Sequence, residues 1–243
     1  MPLDFTTLTP RIERLINLLK FEYSQSPGLI LTEDDLKCLL HNRLSRLAVL
    51  RGNVPTRERH ILGSYVHAEL SWYDENRRLR IKPDITIVEP EHMSVVRGHA
   101  GLTIDPFCSG HGLFAGASRL PSKQYEIVGK AVTLELKFAR SGINRAMLRL
   151  IEKDFEKMMR LFEILDRRGE GGSLFSYLVI FNKRPQGLHE TPLAGFMREH
   201  GAGPRHKILY KTWCPGPSRG LWARRHQAGG GLVITSPPYA NLR

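Results

Sequence analysis

Residues 132–138 read Val-Thr-Leu-Glu-Leu-Lys-Phe, and this stretch decides the expected fold. Apolar and polar residues alternate without a break, which is the period-two pattern of a half-buried β-strand. The apolar side chains share one face of that strand, and Thr133, Glu135 and Lys137 share the other. A carboxylate and an ammonium group are therefore expected two residues apart on the polar face of one strand.

Residues 80–87 read Arg-Ile-Lys-Pro-Asp-Ile-Thr-Ile and form a second alternating stretch. We expect Asp84 on the polar face of this strand with Lys82 and Thr86. The apolar residues are expected to share the other face: Leu79, Ile81, Ile85 and Ile87. If both strands join one sheet, two carboxylates and an ammonium group can converge. Converging carboxylates bind divalent cations, and a bound cation promotes the attack of water on a phosphodiester.

The other periodicities predict the elements around these two strands. Apolar stripes at 3.6-residue spacing predict helices over residues 10–23, 32–50 and 143–167. Further strands are expected over residues 65–73, 127–139 and 174–181, and the first of them forms a β-hairpin with the strand of Asp84. The order from residue 32 is helix, strand, strand, strand, helix, strand. Residues 89–124, rich in Gly, Ser and His, predict an irregular insertion at the rim of a site.

The pair Pro83-Asp84, followed by Glu135-Leu136-Lys137 in the next core strand, resembles the PD-(D/E)xK nuclease superfamily. The resemblance covers residues 30–182, and the family core has the same order of helices and strands. It implies an α/β, restriction-endonuclease-like core with a mixed central β-sheet flanked by helices. Fifty-one positions separate Asp84 from Glu135, which is long for the family, so the insertion at residues 89–124 must absorb the excess.

The resemblance also implies roles for these residues. Asp84 and Glu135 are expected to bind Mg²⁺, for which Mn²⁺ would substitute, and the backbone carbonyl of Leu136 is implied as a third ligand. Lys137 is expected to orient the attacking water or the scissile phosphate. The implied activity is that of a Mg²⁺-dependent endonuclease acting on DNA. A ribonuclease, and a non-catalytic nucleic-acid-binding module that retains the fold, remain as alternatives.

One further acid commonly comes from the first core helix of this family. The acids at residues 33–35 fall in the first turn of the helix 32–50, where N-terminal capping accounts for them. The other candidates are Glu22, Glu58 and Glu69. We favour Glu69 as the further metal ligand, because its strand should pair with the strand that holds Asp84.

Two rival sites lie in the insertion. Asp105 precedes Pro106 and competes with Asp84 for the role of metal ligand, although the Asp-Pro order and the Gly-rich flanks favour a turn. A zinc site could be built from four residues with partial ligand spacing: His92, His99, Cys108 and His111. No second tight pair accompanies them, so a polar loop is the favoured interpretation.

The formal net charge of +12 suits a polyanionic partner, and DNA is the expected one. Residues 183–243 hold ten Lys or Arg against Glu190 and Glu199, a net +8 of that total. Five basic residues are predicted to contact nucleic acid, three on the helix 143–167 and two in the tail: Arg145, Arg149, Lys153, Arg224 and Arg225.

Length and composition bound the remaining possibilities. The 243 residues can bury a core without disulfides, and three widely spaced cysteines favour a reducing cytoplasm. No secretory signal or apolar run long enough to span a bilayer is evident. We expect an N-terminal helix within residues 1–28, a core over residues 29–184, and a basic Gly/Pro-rich extension over residues 185–243. That extension is expected to be partly disordered, and residues 208–210 in it are compatible with a short strand. Double-strand cutting would favour a homodimer.

Overall fold

The computed structural model describes residues 4–56, 62–70, 72–73, 80–92, 114–116, 124–126, 130–167 and 171–213, together with Arg59 and Gly169. Four α-helices lie in these ranges: α1 (Phe5–Gln25), α2 (Glu33–Ser45), α3 (Arg145–Arg167) and α4 (Leu193–His200). The strands that precede α3 in the chain are β1 (Asn53–Pro55), β2 (Leu62–Ser64), β3 (Val66–Ala68), β4 (Trp72–Tyr73), β5 (Arg80–Ile81), β6 (Ile85–Val88), β7 (Phe114–Gly116), β8 (Gln124–Glu126) and β9 (Ala131–Ala139). Those that follow α3 are β10 (Leu174–Asn182), β11 (Ala202–Gly203) and β12 (His206–Thr212).

A six-stranded sheet forms the centre of the molecule, in the order β11-β12-β10-β9-β6-β3. Strands β9, β10 and β12 are parallel, whereas β6 runs antiparallel to β9, and β3 to β6. The prediction of an α/β fold with a mixed central sheet flanked by helices is therefore confirmed. The helix α3 connects β9 to β10, as a parallel pair of strands requires.

The strand β9 separates two apolar layers. Val132, Leu134, Leu136 and Phe138 pack in one cluster with the buried stripes of α1 and α2. Ala131 and Ala139 belong to a second cluster that contains the buried residues of α3. The polar residues of β9 thus face α3, and the alternation of faces over residues 132–138 is confirmed. The expected half-burial is wrong, because α3 covers the polar face and leaves Thr133 4% exposed.

The predicted hairpin is present, but it is divided into two ladders. Strand β3 pairs with β6, and β4 pairs with β5 in a separate sheet of order β5-β4-β7-β8. Pro83 lies between β5 and β6 in the chain. Because it has no backbone N–H, it cannot donate the hydrogen bond that would join the two strands into one continuous strand of the hairpin. The expected common face is therefore wrong: Ile81 packs in the cluster of α3, whereas Ile85 and Ile87 pack in the cluster of α1 and α2. Leu79, the fourth residue of that face, lies outside the described residues. Residues 114–116, expected to be irregular, form β7.

The helix boundaries follow from their caps. Helix α1 begins at Phe5 rather than at Pro10, since the side chain of Asp4 accepts a hydrogen bond from the N–H of Thr6 at 3.1 Å. Helix α2 begins after Thr32, as predicted, and ends at Ser45 instead of residue 50. Helix α3 and β10 match their predicted ranges to within two residues.

The segment after residue 185 contributes to the central sheet. Strand β12 pairs in parallel with β10 from Ser176–His206 to Asn182–Thr212, and Leu193 of α4 is buried in the cluster of α3. Residues 214–243, including the tail positions Arg224 and Arg225, lie outside the described residues. Within the described ranges, no helix has both the length and the apolar character needed to cross a bilayer.

Candidate functional site

The site forms where the ladder between β6 and β9 ends. The last pair of that ladder joins Ile85 to Leu134. Beyond it, two backbone N–H groups of β9 on that side are taken by carboxylates instead of a strand. Leu136 N donates to Asp84 Oδ2 at 2.7 Å, and Phe138 N donates to Glu33 Oε2 at 3.1 Å. The residue directly before β6 and the first residue of α2 therefore bring two acids to the edge of β9.

Asp84 was predicted within a strand, but it lies directly before β6, in the break between β5 and β6. It is still next to β9, the strand that carries Glu135 and Lys137. Burial raises the pKa of the Asp84 carboxyl, the hydrogen bond from Leu136 N acts against this, and the charge of Glu33 raises the pKa further. The net direction is upward, so the site holds this carboxylate at an energetic cost that a cation would reduce.

Glu33 is a site residue that the sequence did not identify. The first turn of α2 contains three acids, but the capping box is made by Asp35, whose Oδ2 accepts from the N–H of Thr32 at 2.9 Å. Glu33 is thus free of the capping role, and its side chain reaches β9. The available signal was that one capping box needs one acid, while this turn offers three.

Lys137 lies at the centre of the charged cluster. Its Nζ is 2.9 Å from Asp154 Oδ2, 3.6 Å from Glu33 Oε1 and 3.8 Å from Glu135 Oε1. Burial disfavours the charge of the ammonium group, but the hydrogen bond and the attraction to Asp154, followed by the charges of Glu33 and Glu135, raise its pKa above the ordinary value. Lys137 is therefore an ammonium group at neutral pH.

Asp154 is the second residue that the sequence did not identify. Its side chain is 8% exposed, and its two oxygens accept from Lys137 and, at 2.6 Å, from Lys157. It lies on the buried side of α3 between Ile151 and Phe155. An acid within an apolar helical stripe was the signal, because a buried carboxylate needs partners from another element.

Glu135 has the most perturbed carboxyl of the cluster. Its side chain is 22% exposed, and burial, with the charges of Asp84 and Asp154, raises its pKa to about 8 against the partial opposition of Lys137 and Lys157. Beside it is a cavity of about 30 Å³ that Asp154, Lys157 and Thr133 also line. That volume accommodates one or two water molecules.

Glu69, the predicted further metal ligand, is engaged elsewhere. Its carboxylate pairs with Lys37 Nζ at 2.6 Å and with Lys82 Nζ, and its side chain is 43% exposed. The hydrogen bonds from the two lysines lower its pKa to about 2. Glu69 follows β3 with a φ of +54°, so the strand alternation that would direct it toward Asp84 ends there. The contact of Glu69 with Asp84 is made by the backbone alone: Glu69 N donates a hydrogen bond to the carbonyl oxygen of Asp84 at 3.0 Å.

The other sequence candidates contribute no ligand in the described part of the chain. Glu22 forms a two-pronged ion pair with Arg43 that joins α1 to α2. Glu58, Asp105, His99, Cys108 and His111 lie outside the described residues, as does the side chain of His92.

The basic residues predicted on α3 do not face the acidic cluster. Arg145, Arg149 and Lys153 are exposed, whereas Asp154 is buried. At 3.6 residues per turn, Arg149 projects about 140° around the helix from Asp154. Two of these three residues therefore lie along the outer surface of α3, while Arg145 opens the helix close to the end of β9.

The carboxylate oxygens of the site are the type of ligand that a hard divalent cation such as Mg²⁺ prefers. Asp84 lies directly before β6 and Glu135 on the neighbouring strand β9, and the charge of Asp84 raises the pKa of Glu135. Among the described residues, no group of three or more His, Cys, Asp or Glu side chains is arranged to hold a metal ion. A cation here would thus require backbone and water ligands besides the carboxylate pair. Comparisons with protein-family models, curated proteins and solved structures found no match to this chain.

Proposed function

We propose that this protein is a metal-dependent nuclease that hydrolyses phosphodiester bonds in DNA. The observation that carries the proposal is the contact of Asp84 with β9 at Leu136, between Glu135 and Lys137. The order α2, β3, β6, β9, α3, β10 also agrees with the order expected from the PD-(D/E)xK resemblance. A restriction-endonuclease-like core is part of this proposal.

Asp84 and Glu135 are the side chains that would hold Mg²⁺. The N–H and C=O of one strand residue point to the same side. Because Leu136 N points to Asp84, the Leu136 carbonyl also lies on the side of that carboxylate and is the proposed third protein ligand. Glu33 replaces Glu69 as the further acid, since its carboxylate is next to Lys137 and the end of β9.

The chemistry proposed is in-line hydrolysis, in which a water oxygen bonds to phosphorus as the bond to the leaving sugar oxygen breaks. Bound Mg²⁺ would supply charge neutralisation at the phosphate and a lowered pKa for water. Lys137 is charged at neutral pH, so it cannot accept the proton of the water. It can donate hydrogen bonds to the water or to a phosphate oxygen, and Asp154 and Glu33 hold it in place for that role.

The test is cleavage of plasmid and linear DNA by the full chain in Mg²⁺ or Mn²⁺, compared with EDTA. We expect metal-dependent cleavage that Asp84→Asn and Glu135→Gln each abolish and that Lys137→Met reduces to a small residual rate, while DNA binding stays largely intact. The matched control is Glu156→Gln, which removes one exposed carboxylate from α3. If any of the three site variants cuts as fast as the parent, the assigned site is wrong.

A non-catalytic module and a ribonuclease give different results in the same experiment. Salt-sensitive DNA binding without cleavage in any metal would establish the binding module. Preferential cleavage of RNA in a substrate panel would establish the ribonuclease and overturn the assignment of DNA as substrate.

A further inference from the structure

The carboxyl ends of β9 and β10 form one edge of the molecule. The two strands pair in parallel up to Ala139 and Asn182, so their ends lie side by side. The next residues are Arg140 after β9, and Lys183 and Arg184 after β10, and all three are exposed. We refer to these three residues as the basic edge.

Side-chain hydrogen bonds hold the backbone of this edge in place. Asn182 is fully buried, and it donates to Gln186 Oε1 and Tyr210 Oη while accepting from Arg184 N. Gln186 Oε1 also accepts from Ile143 N at 3.3 Å, which ties the loop after β9 to the loop after β10. The loops are close enough that Gly142, at φ +90°, is the residue that fits between them, since a Cβ there would lie 3.2 Å from Gln186 Oε1.

The cations of the basic edge are available to a ligand. Within the described ranges, Arg140, Lys183 and Arg184 form no ion pair. Two nearby acids accept backbone hydrogen bonds: Asp35 accepts from Thr32 N, and Glu190 Oε2 accepts from Gly187 N at 2.7 Å. The charge of Arg140 helps to lower the pKa of Asp35 but forms no ion pair with it. Binding at this edge would therefore not have to break an internal ion pair.

The basic edge is also close to the acidic cluster. Arg140 follows Lys137 by three residues, a span of about 10 Å in an extended strand, and Lys183 N bonds to Ala139 O at 3.0 Å. One DNA strand carries a phosphate for about every 3.4 Å of helix axis, so this span corresponds to about three phosphates. Four acids surround only two lysines in the cluster itself, so a polyanion reaching it needs cations beside it.

We propose that the basic edge binds the DNA backbone phosphates that flank the phosphate held at Asp84 and Glu135. The proposal rests on the proposed nuclease function for its choice of DNA as the polyanion. It assigns the flanking contacts to the ends of β9 and β10 instead of to the outer surface of α3.

The test compares two triple variants that remove the same charge at different places. One carries Arg140→Gln, Lys183→Gln and Arg184→Gln, and the control carries Arg149→Gln, Lys153→Gln and Arg160→Gln on exposed positions of α3. Binding of a fluorescent 20-base-pair duplex is measured by anisotropy in EDTA over a series of KCl concentrations. The edge variant should lose at least tenfold in affinity, and its slope of log K against log salt should fall by up to about 2.7, or 0.9 for each contact.

The control variant should stay within threefold of the parent with little change in slope. Equal losses in both triple variants would show a diffuse effect of net charge and would overturn the proposal, as would an unchanged slope in the edge variant. If thermal unfolding shows that the edge variant is destabilised, the double variant Arg140→Gln with Lys183→Gln is measured instead, and a slope change below about 1 then overturns the proposal.

The result separates this surface from the proposed activity. Edge-dependent binding by a parent that cleaves nothing in Mg²⁺ or Mn²⁺ would support the surface and refute the nuclease. Metal-dependent cleavage, together with a DNA affinity that is the same in the edge variant and the parent, would support the nuclease and refute the proposed binding surface.

Discussion

Two clusters of carboxylates and lysines lie close together near Asp84, and they have opposite electrostatics. In the cluster around Lys137, Glu135 is 22% exposed and its pKa is raised to about 8. In the cluster around Glu69, the carboxylate is 43% exposed and its pKa is lowered to about 2. Both acids have lysine neighbours, so the presence of a cation does not explain the difference.

Burial and the ratio of charges explain it. Glu69 lies between Lys37 and Lys82, and Lys37 also pairs with Asp34 at 2.8 Å. Two acids thus share two lysines, and both carboxylates are exposed, Glu69 by 43% and Asp34 by 81%. Glu135 shares Lys137 with Glu33 and Asp154, and it also faces Asp84. An excess of buried carboxylate charge is therefore what distinguishes a candidate cation site from an ordinary surface ion pair.

The largest expected difference between the clusters is in how each makes the free energy of unfolding depend on pH. The pKa of Glu135 rises from 4.5 when unfolded to about 8 when folded, so the folded state binds more protons between those values and loses stability as pH rises through that window. Glu135→Gln removes this loss and should stabilise the metal-free protein at pH 8.5 by up to about 5 kcal/mol relative to the parent. Urea unfolding at pH 5 and pH 8.5 measures the difference.

The control for that experiment is Glu69→Gln, and its sign is opposite. The pKa of Glu69 is lowered on folding, so its stabilising effect is present above pH 4.5 and is lost as pH falls toward 2. Because the ion pairs are exposed, the variant should lose at most about 1 kcal/mol at pH 7. If the Glu135→Gln protein is no more stable than the parent at pH 8.5, the pKa of Glu135 is not raised by folding, and the two clusters do not differ in the way described.

The next effect concerns which acid serves the proposed reaction. Glu33→Gln should slow cleavage in Mg²⁺ by about 10-fold to 100-fold. Its carboxylate accepts from Phe138 N and lies 3.6 Å from Lys137 Nζ, and a hydrogen bond to a charged group contributes about 1.5–3 kcal/mol. Glu69→Gln should stay within threefold of the parent. Single-turnover rates on one duplex make the comparison, and the reverse order of the two variants would restore Glu69 as the site acid.

The smallest effect is expected from Asp154, which acts through Lys137 and not on the substrate. Asp154→Asn should lower kcat by about tenfold and leave KM near the parent value, since Glu33 and Glu135 still attract the ammonium group. In a Lys137→Met background the same substitution should have no further effect on the residual rate. Additive losses in the double variant would mean that Asp154 has a role independent of Lys137.

Much of the fold could be predicted from local patterns. The alternation of residues 132–138, the apolar stripe of α3 and the capping signal at Thr32 each reflect a short-range preference, and each matches the structure. The hairpin was predicted as one ladder, but the missing N–H of Pro83 separates β5 from β6. The short strand β7 has no strong alternation and was not predicted.

The candidate site was predicted only in part. Glu135 and Lys137 lie on β9, and the alternation of that strand indicates their face. Asp84 directly precedes β6 and was indicated by the Pro83-Asp84 pair instead. Glu33 and Asp154 lie on helices 102 positions before and 19 positions after Glu135 respectively, and no local pattern shows that they meet. Glu69 was favoured because strand alternation was extended one residue too far, past the end of β3.

By itself, the sequence determined the alternating strands, the α/β class and the acid and lysine pattern of β6 and β9, because these depend on neighbours along the chain. Only the tertiary structure decided that β6 begins at Ile85, so that the next N–H groups along β9 are left to Asp84 and Glu33. It also decided that Lys137 meets Asp154 and that three cations stand at the strand ends. Burial and long-range contacts set these charges in place, and both arise only when the separate elements pack.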